Sequence, residues 1–403
     1  MCAAELAEGG VRIRRTLIGG VEFGATPRQL YAANLWSRTA SRLVVRVATF
    51  TATTFAELEH HAATVPWDEW IPGGVTPVVR ASCTASRLYH TAAVAERLAA
   101  VAGQGPGPGP LVVARLMHDR VTLSVDSSGP PLWQRGWRQD AAKAPLRETL
   151  AAALVLASGW DRASPLIDPL CGSGTIAIEA ALLAAGRPPG VGRRFAFEDW
   201  PSFQPGTWAS VTGSAGAAGA GAAGAAGAAG AAAAGAAASP GPIFARDRDA
   251  GAVRAARANA ARAGVSDLID IDRASISELA APPGDHGWLV SNPPYGKRVA
   301  GGDLRDLYAR LGDVARTRLP GWTVALLVAE ERMAAQTGLV LEERLRTENG
   351  GIPVRVLAGP ASARPARSGR AAGSARHAAG SAGSAGSAAR IQGRRSTREK
   401  GGS

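Results

Sequence analysis

The stretch that decides the fold is "PLIDPLCGSGTIAIEAALLAAG", Pro165 to Gly186. A short apolar run ends in an acid and a proline, and two glycines then lead into small and aliphatic residues. That is a buried strand, a tight loop and a helix, one step of a parallel sheet. Gly172 and Gly174 let the backbone turn sharply and approach a ligand ahead of the helix N-terminus. Taken alone, the loop suits a plain tight turn as well as a nucleotide cradle. It lacks the Lys-Ser/Thr ending of a P-loop and the third glycine of the dinucleotide fingerprint.

The same rhythm continues outward. "APLRETLAAALVLASGW" (Ala144–Trp160) reads as a helix before the first strand. After it come a strand "PIFARD" (Pro242–Asp247) and a helix "RDAGAVRAARANAARAG" (Arg248–Gly264). A strand "HGWLVSNPP" (His286–Pro294), a helix (Asp303–Leu319) and a strand "WTVALLVA" (Trp322–Ala329) complete the series. Alternating strands and helices predict a doubly wound parallel sheet, with ligands at the carboxyl ends of the strands. Upstream of Ser128 the pattern changes. Strands are expected at Ser41–Ala52 and Thr76–Ser82, and helices at Phe55–Val65 and Ser86–Val101. A hairpin over Leu111–Gly129 turns at His118-Asp119-Arg120, so this half reads as a small α+β unit.

Two segments are low in complexity. Residues 212–238 are almost wholly Ala and Gly, and 361–403 are rich in Gly, Ala, Ser and Arg. Neither offers enough apolar surface to offset the entropy of ordering, so a flexible insert and a disordered tail are expected. The formal charge is +12, but nine of the 45 basic residues and only one of the 33 acidic ones lie beyond Pro360. The first 360 residues therefore carry only about +4. A basic tail binds any polyanion weakly. No apolar run is long enough to span a bilayer, and the start "MCAAELAEGG" has no signal-peptide pattern. Cys2, Cys83 and Cys171 have no metal-ligand spacing, and the adjacent His60 and His61 lack a third ligand. No metal is expected.

Two further motifs fall at strand ends. Asp247 closes the second strand, where an acid can hold vicinal ribose hydroxyls or simply face solvent. Asp249 is placed to cap the next helix. The third strand runs into Asn292-Pro293-Pro294-Tyr295. The prolines end the strand and fix a rigid extended turn, on which Asn292 presents an amide with both donor and acceptor atoms. Such a turn grips a flat polar group.

"DPLCGSGT" (Asp168–Thr175) followed by "NPPY" resembles the S-adenosylmethionine-dependent amino-methyltransferases. The likeness extends to "RGWRQDAAKAPLRETLAAALVL", "FAFEDWPSF", "NPPYGKR" and "LYARLGDVARTRLPGW". Together these look like the THUMP-domain RNA methyltransferases, in particular the bacterial-type large-subunit (23S) rRNA guanine-N2 methyltransferases. Upstream, "LYAANLWSRTASRLVVRVATF", "WDEWIP" and "VRASCTASRLYHTAAVAERL" resemble that group's ferredoxin-like and THUMP segments. The likeness runs from about Val11 to Ala358, broken by the Ala/Gly insert.

The resemblance implies an α/β fold: a Rossmann-like class I methyltransferase domain (129–360) behind a small α+β region. That region comprises a partial ferredoxin-like segment (1–48) and a THUMP RNA-binding domain (49–128). It implies S-adenosyl-L-methionine as cofactor, held by Asp168, Cys171, Gly172, Ser173, Gly174 and Thr175, with Asp247 on the ribose. Ser275 stands where the family carries an Asp near the adenine, which implies a weaker contact there. Asn292 and Pro293 would accept N–H groups of an exocyclic amine, and Tyr295 would stack on the base. RNA contacts are expected from Arg80, Arg87, Lys297 and Arg298, with Arg42 another edge arginine; the lysine and arginine after the turn suit a solvated loop equally. The family's N-terminal segment is longer, which implies a fragment or a displaced start.

The expected activity is guanine-N2 methylation in large-subunit rRNA. The alternatives are tRNA guanosine-N2 methylation and a non-catalytic RNA-binding assembly factor. DNA adenine and release-factor glutamine methylation use the same motif, but the RNA-binding module disfavours both. Expected location is the cytoplasm, or a plastid for an algal source.

Overall fold

The computed structural model describes residues 1–140, 146–219, 241–282, 284–295 and 304–362, with the side chains of 215–219 set aside. The chain opens with helix α1 (Cys2–Glu8), a hairpin of β1 (Arg12–Leu17) and β2 (Gly20–Gly24), and helix α2 (Pro27–Trp36). Thr26 and Gln29 form a capping box that starts α2, each bonding the other's backbone N–H. Next come β3 (Val44–Thr51), α3 (Phe55–Ala63), β4 (Val75–Thr84), α4 (Thr91–Ala102), β5 (Gly107–Met117) and β6 (Arg120–Asp126). These strands form one sheet in the order β3-β6-β5-β4.

The expected hairpin is present as β5–β6, turning on His118 and Asp119, both at positive φ (51° and 59°). Helix α4 begins five residues later than the periodicity predicts. Ala85 takes φ 47°, the Ser86 hydroxyl accepts the Asp119 N–H at 3.1 Å, and Arg87 N–H donates to the Asp119 carboxylate at 2.7 Å. These contacts hold Ala85–Arg87 out of the helix, which starts only after His90.

The larger sheet is built from β7 (Leu166–Asp168), β8 (Ile243–Asp247), β9 (Ile269–Arg273), β10 (Trp288–Ser291), β11 (Thr323–Val328), β12 (Glu342–Asn349) and β13 (Ile352–Pro360). Its order is β12-β13-β11-β10-β7-β8-β9, with β7 to β11 parallel and the last two antiparallel. The expected doubly wound sheet is borne out. Alternate residues of the central strands β7, β10 and β11 enter different cores. Leu166, Val290, Ala325 and Leu327 pack under α5 (Glu148–Ala157), α6 (Thr175–Ala184) and α8 (Ala250–Arg262). Ile167, Leu289, Val324 and Leu326 pack under α9 (Leu304–Arg318). Burial on both faces is what makes these strands read as unbroken apolar runs.

Three features depart from expectation. The hairpin β12–β13 was not predicted, because β12 is an exposed, charged edge strand; its two-residue Gly350-Gly351 turn, at φ 59° and 82°, is the one local signal. Helix α7 (Pro205–Gly219) runs into the Ala/Gly insert, so the start of the expected flexible segment is helical. Its first turns are anchored in the N-terminal core by buried Val211 and by Trp208, whose ring lies 5.2 Å from that of Phe197. At the other end Ala361, the first residue of the expected tail, is buried, and its N–H donates to the Trp322 carbonyl at 2.7 Å. The rest of the insert and residues 363–403 lie outside the described residues. "FAFEDW" (Phe195–Trp200) also packs in the N-terminal core, with Phe197 stacked on Tyr31 at 4.3 Å. Among the described residues no helix is long and apolar enough to cross a membrane.

Candidate active site

The order of the sheet reverses between β7 and β10, its topological switch point. Asp168 ends β7 and Ser291 ends β10, its immediate neighbour. The Ser291 hydroxyl donates to Asp168 Oδ1 at 2.7 Å, and Leu170 N–H donates to the same oxygen at 3.2 Å. The other oxygen, Oδ2, is buried with no partner among the described residues. Burial pushes this carboxyl up to about 7, against the pull of its two hydrogen bonds and with a smaller push from Asp247.

The loop after β7 is tied to the end of β8. Cys171 N–H donates to the Arg246 carbonyl at 2.9 Å, and Gly172 N–H donates to Asp247 Oδ2 at 3.0 Å. Asp247 Oδ1 accepts the Asp249 N–H at 2.9 Å, which leaves each oxygen a further lone pair. Asp249 caps α8, accepting from the N–H groups of Gly251 and Ala252, as expected. Burial raises the Cys171 thiol well above its ordinary value, so it is held protonated. Ser173 and Thr175 are buried at the head of α6.

Gly174 takes φ 83° directly before that helix, and a Cβ there would lie 3.0 Å from the Ala256 Cβ. Gly174→Ala is therefore expected to cost about 1–2 kcal/mol from the left-handed backbone alone. A lower urea midpoint, together with weaker S-adenosylhomocysteine binding in calorimetry, checks this.

Asn259 was missed from the sequence, although a polar residue on the apolar stripe Val253–Ala256–Ala260 of α8 was its signal. It is fully buried. Its amide donates to the carbonyls of Ser173 (3.0 Å) and Asp140 (2.9 Å) and accepts the N–H groups of Gln139 and Asp140. It thus joins the glycine loop to the segment before α5. Asn259→Ala leaves several buried groups unpaired and should destabilise the fold by about 2–4 kcal/mol, read as a shift in denaturant midpoint.

Asn292 follows β10, and its Oδ1 is buried without a partner among the described residues. Pro293 is buried beside it. Tyr295 is half-buried and packs against the α5–α6 side, its hydroxyl accepting from Asn349 Nδ2 at 2.8 Å. Ser291 and Asn349, like Asn259, were not singled out in the sequence. Ser275 follows β9 and caps a short 3₁₀ turn, accepting the Glu278 N–H while its own N–H donates to the Glu278 carboxylate at 2.8 Å. Its hydroxyl also bonds the Glu278 carboxylate, which leaves the oxygen one lone pair for a donor.

Arg80 and Arg87 are exposed on the N-terminal module. Arg42 is not a free edge cation: it pairs with buried Asp126 and donates to the Gly129 carbonyl at 2.6 Å. Lys297 and Arg298 lie outside the described residues.

Residues 135–355 match the family model described as the RMKL-like methyltransferase domain, and residues 1–44 match the RlmL ferredoxin-like domain. Ribosomal RNA large subunit methyltransferase K/L of Chromohalobacter salexigens is 32% identical over 388 residues, covering 90% of this chain and 51% of that protein. The chain spans about half the length of the K/L relatives it matches. A relative in Synechocystis sp., slr0064, bears an RNA-methyltransferase name; it is 31% identical, with 89% of this chain and 92% of that protein covered. The crystal structure of SMU.472 complexed with SAH superposes with a TM-score of 0.76 at 26% identity, covering 88% of this chain and 93% of that one.

Proposed function

We propose that this chain, which belongs to the RMKL-like methyltransferase family, methylates the exocyclic N2 amine of a guanine in RNA, with large-subunit rRNA as substrate. The observation that carries the reading is a pair of buried acceptors without partners among the described residues, Asp168 Oδ2 and Asn292 Oδ1, at the ends of adjacent strands. Each calls for a donor from a bound molecule.

The residues fit S-adenosylmethionine. Asp168 Oδ2 suits the ammonium of the methionine end, and the free lone pairs of Asp247 suit vicinal ribose hydroxyls. Ser275 can meet the adenine edge. When bound, the cofactor supplies a methyl group on a sulfonium, a charged leaving group. An exocyclic amine is a poor nucleophile because its lone pair is delocalised into the ring. Asn292 Oδ1 and the Pro293 carbonyl can each accept one of its N–H bonds, which turns the lone pair out of the ring plane. The proline locks the direction of the Pro293 carbonyl. Tyr295, braced by Asn349, holds the plane of the base. The site therefore works by orientation and by excluding water, and no strong base is required because the methylated nitrogen sheds its proton to water. A guanine in a helix must leave its stack to reach these groups. Its place is with ribosomal RNA, in the cytoplasm or a plastid.

Incubation with labelled S-adenosylmethionine and protein-free large-subunit rRNA, and separately with tRNA, tests this. Label in rRNA supports the substrate, label in tRNA alone replaces it, and label in neither sinks the reading.

A further inference from the structure

We propose that the uncovered face of the four-stranded sheet β3-β6-β5-β4 holds the backbone of a double-helical RNA segment through Arg80, Arg115 and Arg120. This deepens the RNA reading above and rests on it. The strand register carries the argument. Cross-strand partners share a face, so Arg80 stands beside Val113, Arg115 between Ser82 and Thr122, and Arg120 between Met117 and Thr51. The opposite face is the one that α3 and α4 cover, where Leu58, Val94 and Leu98 pack with Ala114, Leu116 and Leu123.

Arg80, Arg115 and Arg120 are exposed and form no ion pair among the described residues. A fourth arginine on the face, Arg46, is already bonded to Glu22 at 3.0 Å. No acid stands in the three cross-strand rows that hold these arginines, and hydroxyl side chains fill much of the space between them. Guanidinium groups and hydroxyls suit phosphates and 2′-hydroxyls. The rows contain no aromatic side chain on which an unpaired base can stack, the usual platform for single strands. The face is three strand spacings wide, roughly 14 Å. It therefore suits the regular backbone of a duplex better than splayed bases.

The test uses the full chain, an RNA duplex of about 20 base pairs and a single strand of equal length, with binding followed by fluorescence anisotropy across a salt series. Wild type is expected to bind the duplex more tightly. The triple variant Arg80→Gln/Arg115→Gln/Arg120→Gln should lose about 10-fold or more at low salt, and the slope of log Kd against log salt should fall by about 2–3. The corresponding triple lysine variant should keep most of that slope. Unchanged duplex binding in the glutamine variant, a preference for the single strand, or equal loss in the lysine variant overturns the proposal. If the glutamine variant melts early, the three single substitutions are read instead, each for a slope change near one. Binding needs no methyl transfer, so a wild type that binds duplex but transfers no label defeats the functional reading and spares this one.

Discussion

Asn292→Ala should slow methyl transfer by about 10²–10³-fold while leaving the unfolding midpoint nearly unchanged. The two halves of that expectation have one cause. Asn292 Oδ1 has no partner among the described residues, so its removal breaks no bond of that oxygen there and relieves a buried unpaired acceptor. That oxygen is left for a bound donor. A polar side chain held for structure behaves in the opposite way, as Asn259 does with its carbonyl and N–H partners on two segments. Single-turnover rates and thermal melts on the same preparations separate the two. A melt lowered by several degrees with a retained rate would make Asn292 structural.

Asp168→Asn should raise the stability of the cofactor-free protein at pH 8 and weaken cofactor binding by about 10–100-fold. The carboxyl is held up to about 7 by burial, against an unfolded value near 3.9. The folded state therefore binds more protons than the unfolded state between about pH 4 and 7, and stability falls as pH rises through that window. Three pKa units correspond to roughly 4 kcal/mol from this group. Glu148, pushed up to about 7 by burial despite its 2.9 Å bond to Arg138, adds in the same direction. The asparagine variant removes the first contribution and should flatten the pH dependence of melting. An ammonium beside Asp168 favours its charged form, so wild-type affinity should strengthen as pH rises through about 7. Calorimetry with S-adenosylhomocysteine at pH 6 and pH 8 reads this. Equal affinity at both pH values, or an unaltered affinity in the variant, would remove Asp168 from the cofactor site.

Much of the architecture was legible because local chemistry and burial coincide. The inner strands β7, β8 and β10 pack apolar side chains on both faces, so they appear as short apolar runs, and each ends at a residue that interrupts the run: Asp168, Asp247 and Asn292; the edge strand β9, alternating Ile and Asp, gives no such run. The β5–β6 turn was visible in three polar residues between alternating strands. What stayed hidden depends on contacts distant in sequence. Ser291 looks like one more small residue until β10 sets it against Asp168, 123 positions away. Asn349 gains its place only because the β12–β13 hairpin brings it to Tyr295. "FAFEDW" has the composition of any aromatic segment, yet it fills the N-terminal core around Tyr31. The length of α7 was hidden for the same reason, since Trp208 and Val211 anchor a helix whose glycines oppose it. The cationic face of the four-stranded sheet was hidden too, because Arg80, Arg115 and Arg120 are brought together by register and not by sequence spacing.

The most direct measurement is the identity of the methylated nucleoside. Large-subunit rRNA treated with labelled S-adenosylmethionine and enzyme is digested, and the nucleosides are separated, for wild type and for Asn292→Ala. Label in N2-methylguanosine is expected for wild type and almost none for the variant. Label in N6-methyladenosine, or N2-methylguanosine formed at the same rate by the variant, would contradict this expectation.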